Sequence, residues 1–149
     1  MTGFLTHVAI ERFVSERDGI LGDWAMNNFY VYRPSTTNAH VFIPWDRDNA
    51  FQAVDASVLL HADENVLVRR LLEHPDLRAH YLQVLEACAA QSGWLEQEIA
   101  ATASLIRAAA YADERKASSN EEFEAGIAFL RAFALSRPAI VRAEIASLR

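Results

Sequence analysis

The fold is decided by residues 23–51, which read DWAMNNFYVYRPSTTNAHVFIPWDRDNAF. Two short runs in this stretch, 29–32 and 40–43, are rich in β-branched and aromatic residues, and residues 34–39 between them are typical of a turn. The pattern predicts a β-hairpin. We expect Pro44 to end the second strand, because proline has no N–H to donate to the ladder.

A helix is predicted before the hairpin. Residues 4–17 place apolar side chains along one face with a period of 3.6 residues. The pair Asp18-Gly19 is expected to stop this helix, because glycine suits the left-handed cap position. Four large rings near the junction of hairpin and helices are expected to pack together, namely Trp24, Phe29, Trp45 and Phe51.

The chain after residue 63 has a helical pattern throughout. Asp63 is expected to cap the first of these helices, and Pro75 stands where the first turn of the next one begins. Ser119 and Glu122 have the spacing of a capping box, and Pro138 is expected to bend or restart the last helix. The pattern predicts at least four helices in this part of the chain.

The sequence therefore predicts a single domain over residues 1–149, mostly α with one hairpin at about residues 28–43, which is an α+β fold. The net charge of −6 argues against a nucleic-acid partner. No stretch reaches the roughly 18 apolar residues that a membrane helix needs. The first residues lack the basic region of a signal peptide and become charged at Glu11, so we expect no signal peptide here. We expect a soluble chain, cytoplasmic as expressed, and leave its native compartment open.

Oxygen-bearing side chains lie on both sides of the hairpin in the sequence. Asp23 and Asn28 form the pattern D-x-x-x-x-N before the first strand, and Asp46 and Asp48 follow the second strand. A hairpin returns its second strand beside its first, so Asp23, Asn28 and Asp46 are expected to converge. Carboxylates and an amide oxygen at strand ends can hold Mg²⁺. The same residues also suit turns and caps, and the spacing alone leaves both interpretations open.

Clustered carboxylates repel one another, so Asp23 and Asp46 are expected to accept hydrogen bonds from backbone or arginine donors. Arg33 and Arg47 are the candidate donors. The five histidines show no HExxH spacing, and the chain has neither a GxSxG elbow nor a P-loop motif. Cys88, the single cysteine, falls on the apolar face of its predicted helix and is expected to be a core residue.

Four segments together resemble the CotH family, whose members are atypical kinase-like proteins of spore coats and of bacterial and fungal surfaces. They are HVAIERF at 7–13, DGILGDW at 18–24, NNFYVYR at 27–33 and FIPWDRDNAF at 42–51. The helical remainder of the chain fits the family more loosely. The resemblance covers most of the chain and corresponds to the later portion of the family's domain.

The resemblance implies the C-terminal lobe of a kinase-like fold and a role for each motif residue. Asp23 corresponds to the catalytic-loop acid, Asn28 to a metal-side amide and Asp46 to the metal-binding acid, with Asp48 as a further neighbour. The implied cofactors are Mg²⁺ and ATP. The implied reaction transfers the γ-phosphoryl group of ATP to a serine or threonine of a protein.

The sequence departs from the family pattern before Asp23. The 22 preceding residues read as one helix, Lys116 is the only lysine, and Gly19-x-x-Gly22 is the nearest approach to a glycine-rich loop. We therefore expect a C-terminal lobe without its N-terminal lobe, with nucleotide binding weak or absent and its nucleotide-binding residues unidentified. Expected partners are such a lobe, a protein substrate or a second copy. The alternative is a non-enzymatic, pseudokinase-like structural or interaction module.

Overall fold

The computed structural model describes residues 1–149, apart from the side chain of Ser92. Its elements are α1 (Thr2–Phe13), β1 (Phe29–Tyr32), β2 (Val41–Pro44), α2 (Val66–Leu72), α3 (Pro75–Ala90), α4 (Ser92–Ala112) and α5 (Asn120–Leu148). The predicted α+β class, with one hairpin and four helices after residue 63, is confirmed. Within the described residues, no helix combines the length and the apolar character needed to cross a membrane.

Helix α1 begins and ends earlier than predicted. It stops at Phe13, and Ser15 has a left-handed φ of 53°, so the helix does not reach the Asp18-Gly19 pair. The segment that follows pairs instead with the chain after the hairpin: Phe51 N–H donates to Val14 O at 2.6 Å, and Arg17 N–H donates to Asn49 O at 3.1 Å. This pairing fixes the start of the loop that precedes β1.

The hairpin is antiparallel, and its register places Phe29 opposite Pro44. Pro44 is the last residue of β2, so the prediction that it ends the strand is confirmed. The next ladder bond comes from Trp45 N–H to Asn28 O at 3.0 Å, so the proline occupies a position that needs no donor. Phe42 packs against Phe4 of α1, with ring centroids 4.7 Å apart, and holds the hairpin on that helix.

The helical core is formed mainly by α1, α3 and α5, and α3 buries its apolar face against both other helices. Pro75 at the first turn of α3 and the capping box at Ser119 are confirmed. The cap of α2 is Asn65, whose side chain accepts from two backbone N–H groups, so the prediction of Asp63 was wrong. Asn65 stands directly before the first helical residue and can reach those groups.

Pro138 does not restart the last helix, because α5 is one continuous helix of 29 residues, and the predicted bend at this proline stays a prediction. Pro138 is buried, and its neighbours Arg137 and Val141 are fully buried as well. The contacts on both sides of the proline compensate for the one hydrogen bond that its missing N–H removes.

The predicted ring cluster forms only in part. Phe29 and Phe51 are half-buried, and Phe51 stands edge-on to Phe133 of α5 at 5.3 Å. Trp24 and Trp45 remain 66% and 57% exposed, so the prediction was wrong for both. Trp45 stands edge-on to Tyr30, with ring centroids 5.7 Å apart, and Trp24 lies in the loop before β1.

Candidate functional site

The hairpin brings Asn28 and Asp46 to the same end of the sheet. Asn28 directly precedes β1, Asp46 follows β2 by two residues, and the bond from Trp45 N–H to Asn28 O closes the ladder between them. Both residues have left-handed backbone angles, with φ of 55° at Asn28 and 47° at Asp46. Asparagine and aspartate are the non-glycine residues that tolerate this conformation best.

The Asn28 amide is oriented by Asp18, a residue predicted above only to stop helix α1. Asp18 Oδ2 accepts from Asn28 Nδ2 at 2.8 Å, and its Oδ1 accepts from Asn27 Nδ2 at 2.9 Å. An ionised carboxylate can only accept hydrogen bonds, so the Asn28 NH₂ group faces Asp18 and its Oδ1 is left for another partner. The signal in the sequence was the Asn27-Asn28 pair, whose two NH₂ groups require acceptors.

Asp46 and Asp48 are both exposed. Asp48 Oδ1 accepts from Asn49 Nδ2 at 3.1 Å. The expected arginine donor is missing at Asp46, whose side chain makes no hydrogen bond or ion pair within the described residues. Arg33 binds Asn38 instead.

No three histidine, cysteine or acidic side chains that the structure describes gather so that they could hold a metal ion. The predicted metal set is Asp46, Asp48 and Asn28, which are two carboxylates and one amide. The absence of three clustered histidine, cysteine or acidic side chains does not bear on a set that includes an amide. This set stays a prediction.

Arg47, the other expected donor, joins the hairpin to α1. Its guanidinium lies 2.5 Å from Glu11 Oε1, and its Nη2 donates to Asn28 O at 2.9 Å. Glu11 is buried, lies 2.7 Å from His7 Nε2 and accepts from Ile20 N–H at 2.8 Å. Helix α1, the loop before β1 and the segment after β2 are thus tied together by one buried carboxylate.

Asp23, the predicted catalytic acid, is held by an arginine and a histidine. Arg17 donates to Oδ2 through Nε at 2.6 Å and through Nη2, and His61 Nε2 lies 3.3 Å from Oδ1. The expectation of an arginine donor is met, by Arg17 in place of the two arginines predicted. Partial burial raises the pKa of Asp23, but the hydrogen bonds and charges of Arg17 and His61 outweigh it and leave this pKa below its usual value.

Asp23 lines a cleft of about 390 Å³, together with residues 20–22, 25–26, 61 and 64–67. On the far side of its ring, His61 Nδ1 lies 2.9 Å from Glu64 Oε1. In the described contacts Asp23 is linked to Arg17 and His61, whereas Asn28 is linked to Asp18, so these two motif residues share no hydrogen bond. Sequence reasoning missed His61, because no metal or catalytic spacing includes it.

The fold and the site define an α+β domain whose single hairpin carries amide and carboxylate oxygens at one end. The family described as CotH kinase protein matches residues 1–141 of the 149, and the chain belongs to this family. No curated protein matches the chain. No solved structure matches it either.

Proposed function

We propose that this chain supplies the metal-binding and catalytic part of a CotH-type protein kinase, which transfers the γ-phosphoryl group of ATP to a serine or threonine of a protein. One observation carries the proposal: Asn28 and Asp46 flank the same end of the hairpin, both in the left-handed conformation. Such a conformation costs on the order of 1–3 kcal/mol at a non-glycine residue and is concentrated at functional sites.

The donor chemistry fits Mg²⁺, which takes oxygen ligands. Asn28 Oδ1 is available because the NH₂ group is committed to Asp18, and the carboxylates of Asp46 and Asp48 complete the set. Bound Mg²⁺ supplies charge neutralisation to a phosphate group. Among the residues of this chain, these three would hold the ion.

Asp23 would orient the acceptor hydroxyl. A carboxylate offers about four acceptor positions, of which Arg17 occupies two at Oδ2 and His61 occupies one at Oδ1. One position at Oδ1 is left for a hydroxyl donor. Because the pKa of Asp23 lies below its usual value, the carboxylate is a weak base and suits orientation better than lasting proton capture.

The described residues do not provide a cradle for the nucleotide phosphates. Lys116, the only lysine, lies before α5, where its Nζ donates to Asn120 Oδ1 at 2.5 Å and faces the rings of Tyr111 and Phe123. This lysine stabilises the junction of α4 and α5. The proposal therefore includes an N-terminal lobe supplied by another segment or another chain, with weak or absent ATP binding by residues 1–149 alone.

Terbium luminescence tests the metal site directly. Tb³⁺ is a hard cation with the oxygen preference of Mg²⁺, and Trp45 next to Asp46 is exposed and can sensitise its emission. We expect Asp46→Ala to weaken Tb³⁺ binding by about tenfold or more. Asp63→Ala, which removes an exposed carboxylate with no side-chain hydrogen bond in the described structure, is the control. Equal emission titrations for the wild type and Asp46→Ala would refute the metal assignment.

Nucleotide binding is tested by thermal unfolding with millimolar Mg²⁺-ATP. We expect no rise in the melting temperature of the chain alone and no autophosphorylation, because phosphate binding needs the lysine and loop of an upper lobe. A separately expressed lysine-bearing lobe, where the parent gene encodes one, should restore binding, and Asp46→Ala should abolish it. A rise for the chain alone that Asp46→Ala removes would contradict the need for a second lobe.

A non-enzymatic interaction module is the second candidate, and exposed apolar residues of the outer helices favour it. Leu105 is 83% exposed, Leu135 69% and Phe129 53%. Scattered apolar residues are ordinary on surfaces, whereas contiguous ones mark contacts between proteins. Light scattering over a concentration series distinguishes these cases. Self-association that Leu105→Glu removes and Asp46→Ala leaves intact would support the module.

A further inference from the structure

We infer that His61 is a positioning residue for Asp23, bridging it to Glu64 as a doubly protonated imidazolium and thereby fixing the carboxylate that orients the acceptor hydroxyl. The inference rests on the proposed function, because it takes Asp23 to be the orienting group. It adds a residue from outside the motif segments, 38 positions after Asp23 in the sequence.

The protonation state follows from the contacts of the ring. Nε2 lies 3.3 Å from Asp23 Oδ1, and Nδ1 lies 2.9 Å from Glu64 Oε1. Ionised carboxylates only accept hydrogen bonds, and a neutral imidazole has a single N–H to donate. Both contacts are therefore hydrogen bonds only when both ring nitrogens carry protons.

The backbone holds the ring in place. His61 has a left-handed φ of 61°, and the turn that contains it is anchored by two buried side chains, Val58 and Ala62. Ala62 N–H donates to Leu59 O at 2.9 Å, and Asn65 N–H donates to His61 O at 3.2 Å. A strained residue in a hydrogen-bonded turn is set in one position before any ligand arrives.

The charged groups around the ring favour the imidazolium. Asp23 and Glu64 face it directly, Arg17 lies beyond Asp23, and the other residues that line the cleft are uncharged. The hydrogen bond to Glu64, followed by the one to Asp23, raises the pKa of His61 above its usual value, although partial burial acts in the opposite direction. With the carboxylates ionised, the imidazolium and with it the bridge are favoured at the usual histidine pKa of about 6.5, and both are lost as the pH rises through the raised pKa of the folded protein.

Nuclear magnetic resonance of the full chain tests the inference without requiring activity. Side-chain ¹⁵N and ¹³C spectra of histidine and aspartate, recorded over a pH series, report the protonation of His61 and the pKa of Asp23. His61→Asn is the main variant, because asparagine tolerates the left-handed backbone and is never charged. We expect this substitution to raise the pKa of Asp23, because it removes the positive charge beside the carboxylate.

Glu64→Gln tests the contact between His61 and Glu64 separately from the contact between His61 and Asp23. We expect it to lower the pKa of His61, because glutamine can still accept from Nδ1 but carries no charge. His40, which shares no hydrogen bond with either carboxylate in the described structure, is the internal reference for both variants. Far-ultraviolet circular dichroism establishes that each variant is folded.

An unchanged Asp23 pKa in folded His61→Asn, or a single protonated ring nitrogen at pH 6, would overturn the inference. These outcomes are distinguishable from failure of the proposed function, because Tb³⁺ titration reads Asp46 and does not involve His61. Retained Tb³⁺ binding with an unchanged Asp23 would reject the bridge alone. A confirmed bridge in a chain that binds no cation would reject the metal assignment alone.

Discussion

Replacing Arg137 by methionine should destabilise the fold severely. Arg137 lies in α5 and is fully buried, and its guanidinium donates to four backbone carbonyls, those of Arg12, Phe13, Val54 and Ala56, at 2.7–2.9 Å. Two of these carbonyls lie at the end of α1: Arg12 O also accepts from Ser15 N–H at 3.3 Å, and Phe13 O lies beyond the helical N–H groups that could bind it. Burial lowers the pKa of Arg137 to about 10, so the side chain is still charged at neutral pH.

The magnitude follows from the bonds that are lost. A hydrogen bond from a charged donor contributes about 1.5–3 kcal/mol, and four that share one side chain are not additive. Methionine has a similar length but cannot donate, so the carbonyls of Phe13, Val54 and Ala56 lose the donor that Arg137 supplies, and we expect a loss of roughly 3–5 kcal/mol. That is a large part of the about 5–15 kcal/mol by which a domain is stable.

Urea unfolding monitored by circular dichroism measures this loss as a change in the midpoint at constant slope. Arg142→Met is the matched control on the same helix, because Arg142 is exposed and binds Glu86 and Ala89 O at the surface. We expect the control to lose less than about 1 kcal/mol. A loss below about 1 kcal/mol for Arg137→Met as well would refute the argument that the buried guanidinium holds α1 to the segment after the hairpin.

Three further substitutions probe other parts of the chain. Gly19→Ala should lower the melting temperature, because the added Cβ would lie 2.6 Å from the buried Glu11 carboxylate. Gly3→Ala is the control, because a Cβ there meets nothing within 4 Å. Equal melting temperatures for the two variants would contradict this steric argument. Ser119→Ala removes the capping box of α5 and should cost about 1 kcal/mol in urea unfolding, and an unchanged midpoint would show that the cap is dispensable. Burial raises the pKa of the Cys88 thiol, so Cys88 should react with a disulfide reagent more slowly in the native protein than in urea, and equal rates would be inconsistent with its position.

Local chemistry made much of the fold predictable. The hairpin, the proline at the start of α3 and the capping box at Ser119 depend on neighbours in sequence, and all three are where the pattern predicts them. The errors arose where distant residues decide the outcome. Helix α1 stops at Phe13 because the next segment pairs with residues 49–53, and Pro138 lies inside α5 because buried contacts outweigh the missing N–H.

For the candidate site, only the placement of the motif residues themselves was predictable from the sequence. Asn28 and Asp46 could be placed at one hairpin end, because the strands adjoin their positions in the sequence. The groups that orient the motif residues could not be found, since Asp18 reaches Asn28 through a folded loop and His61 reaches Asp23 from a turn 38 residues away. Hydrogen bonds of this kind leave no periodic pattern in the sequence.

The left-handed residues also restrict how this region can vary among relatives. Six non-glycine residues have positive φ, and all lie in the first 61 positions: Ser15, Ala25, Asn28, Asp46, Phe51 and His61. Proline cannot adopt positive φ, and valine, isoleucine and threonine are strongly disfavoured there. We expect these substitutions to be rare at the six positions in related chains, whereas glycine and asparagine should be accepted wherever the side chain has no other role. That substitution pattern would identify the backbone conformation of this region even in relatives whose motif residues differ.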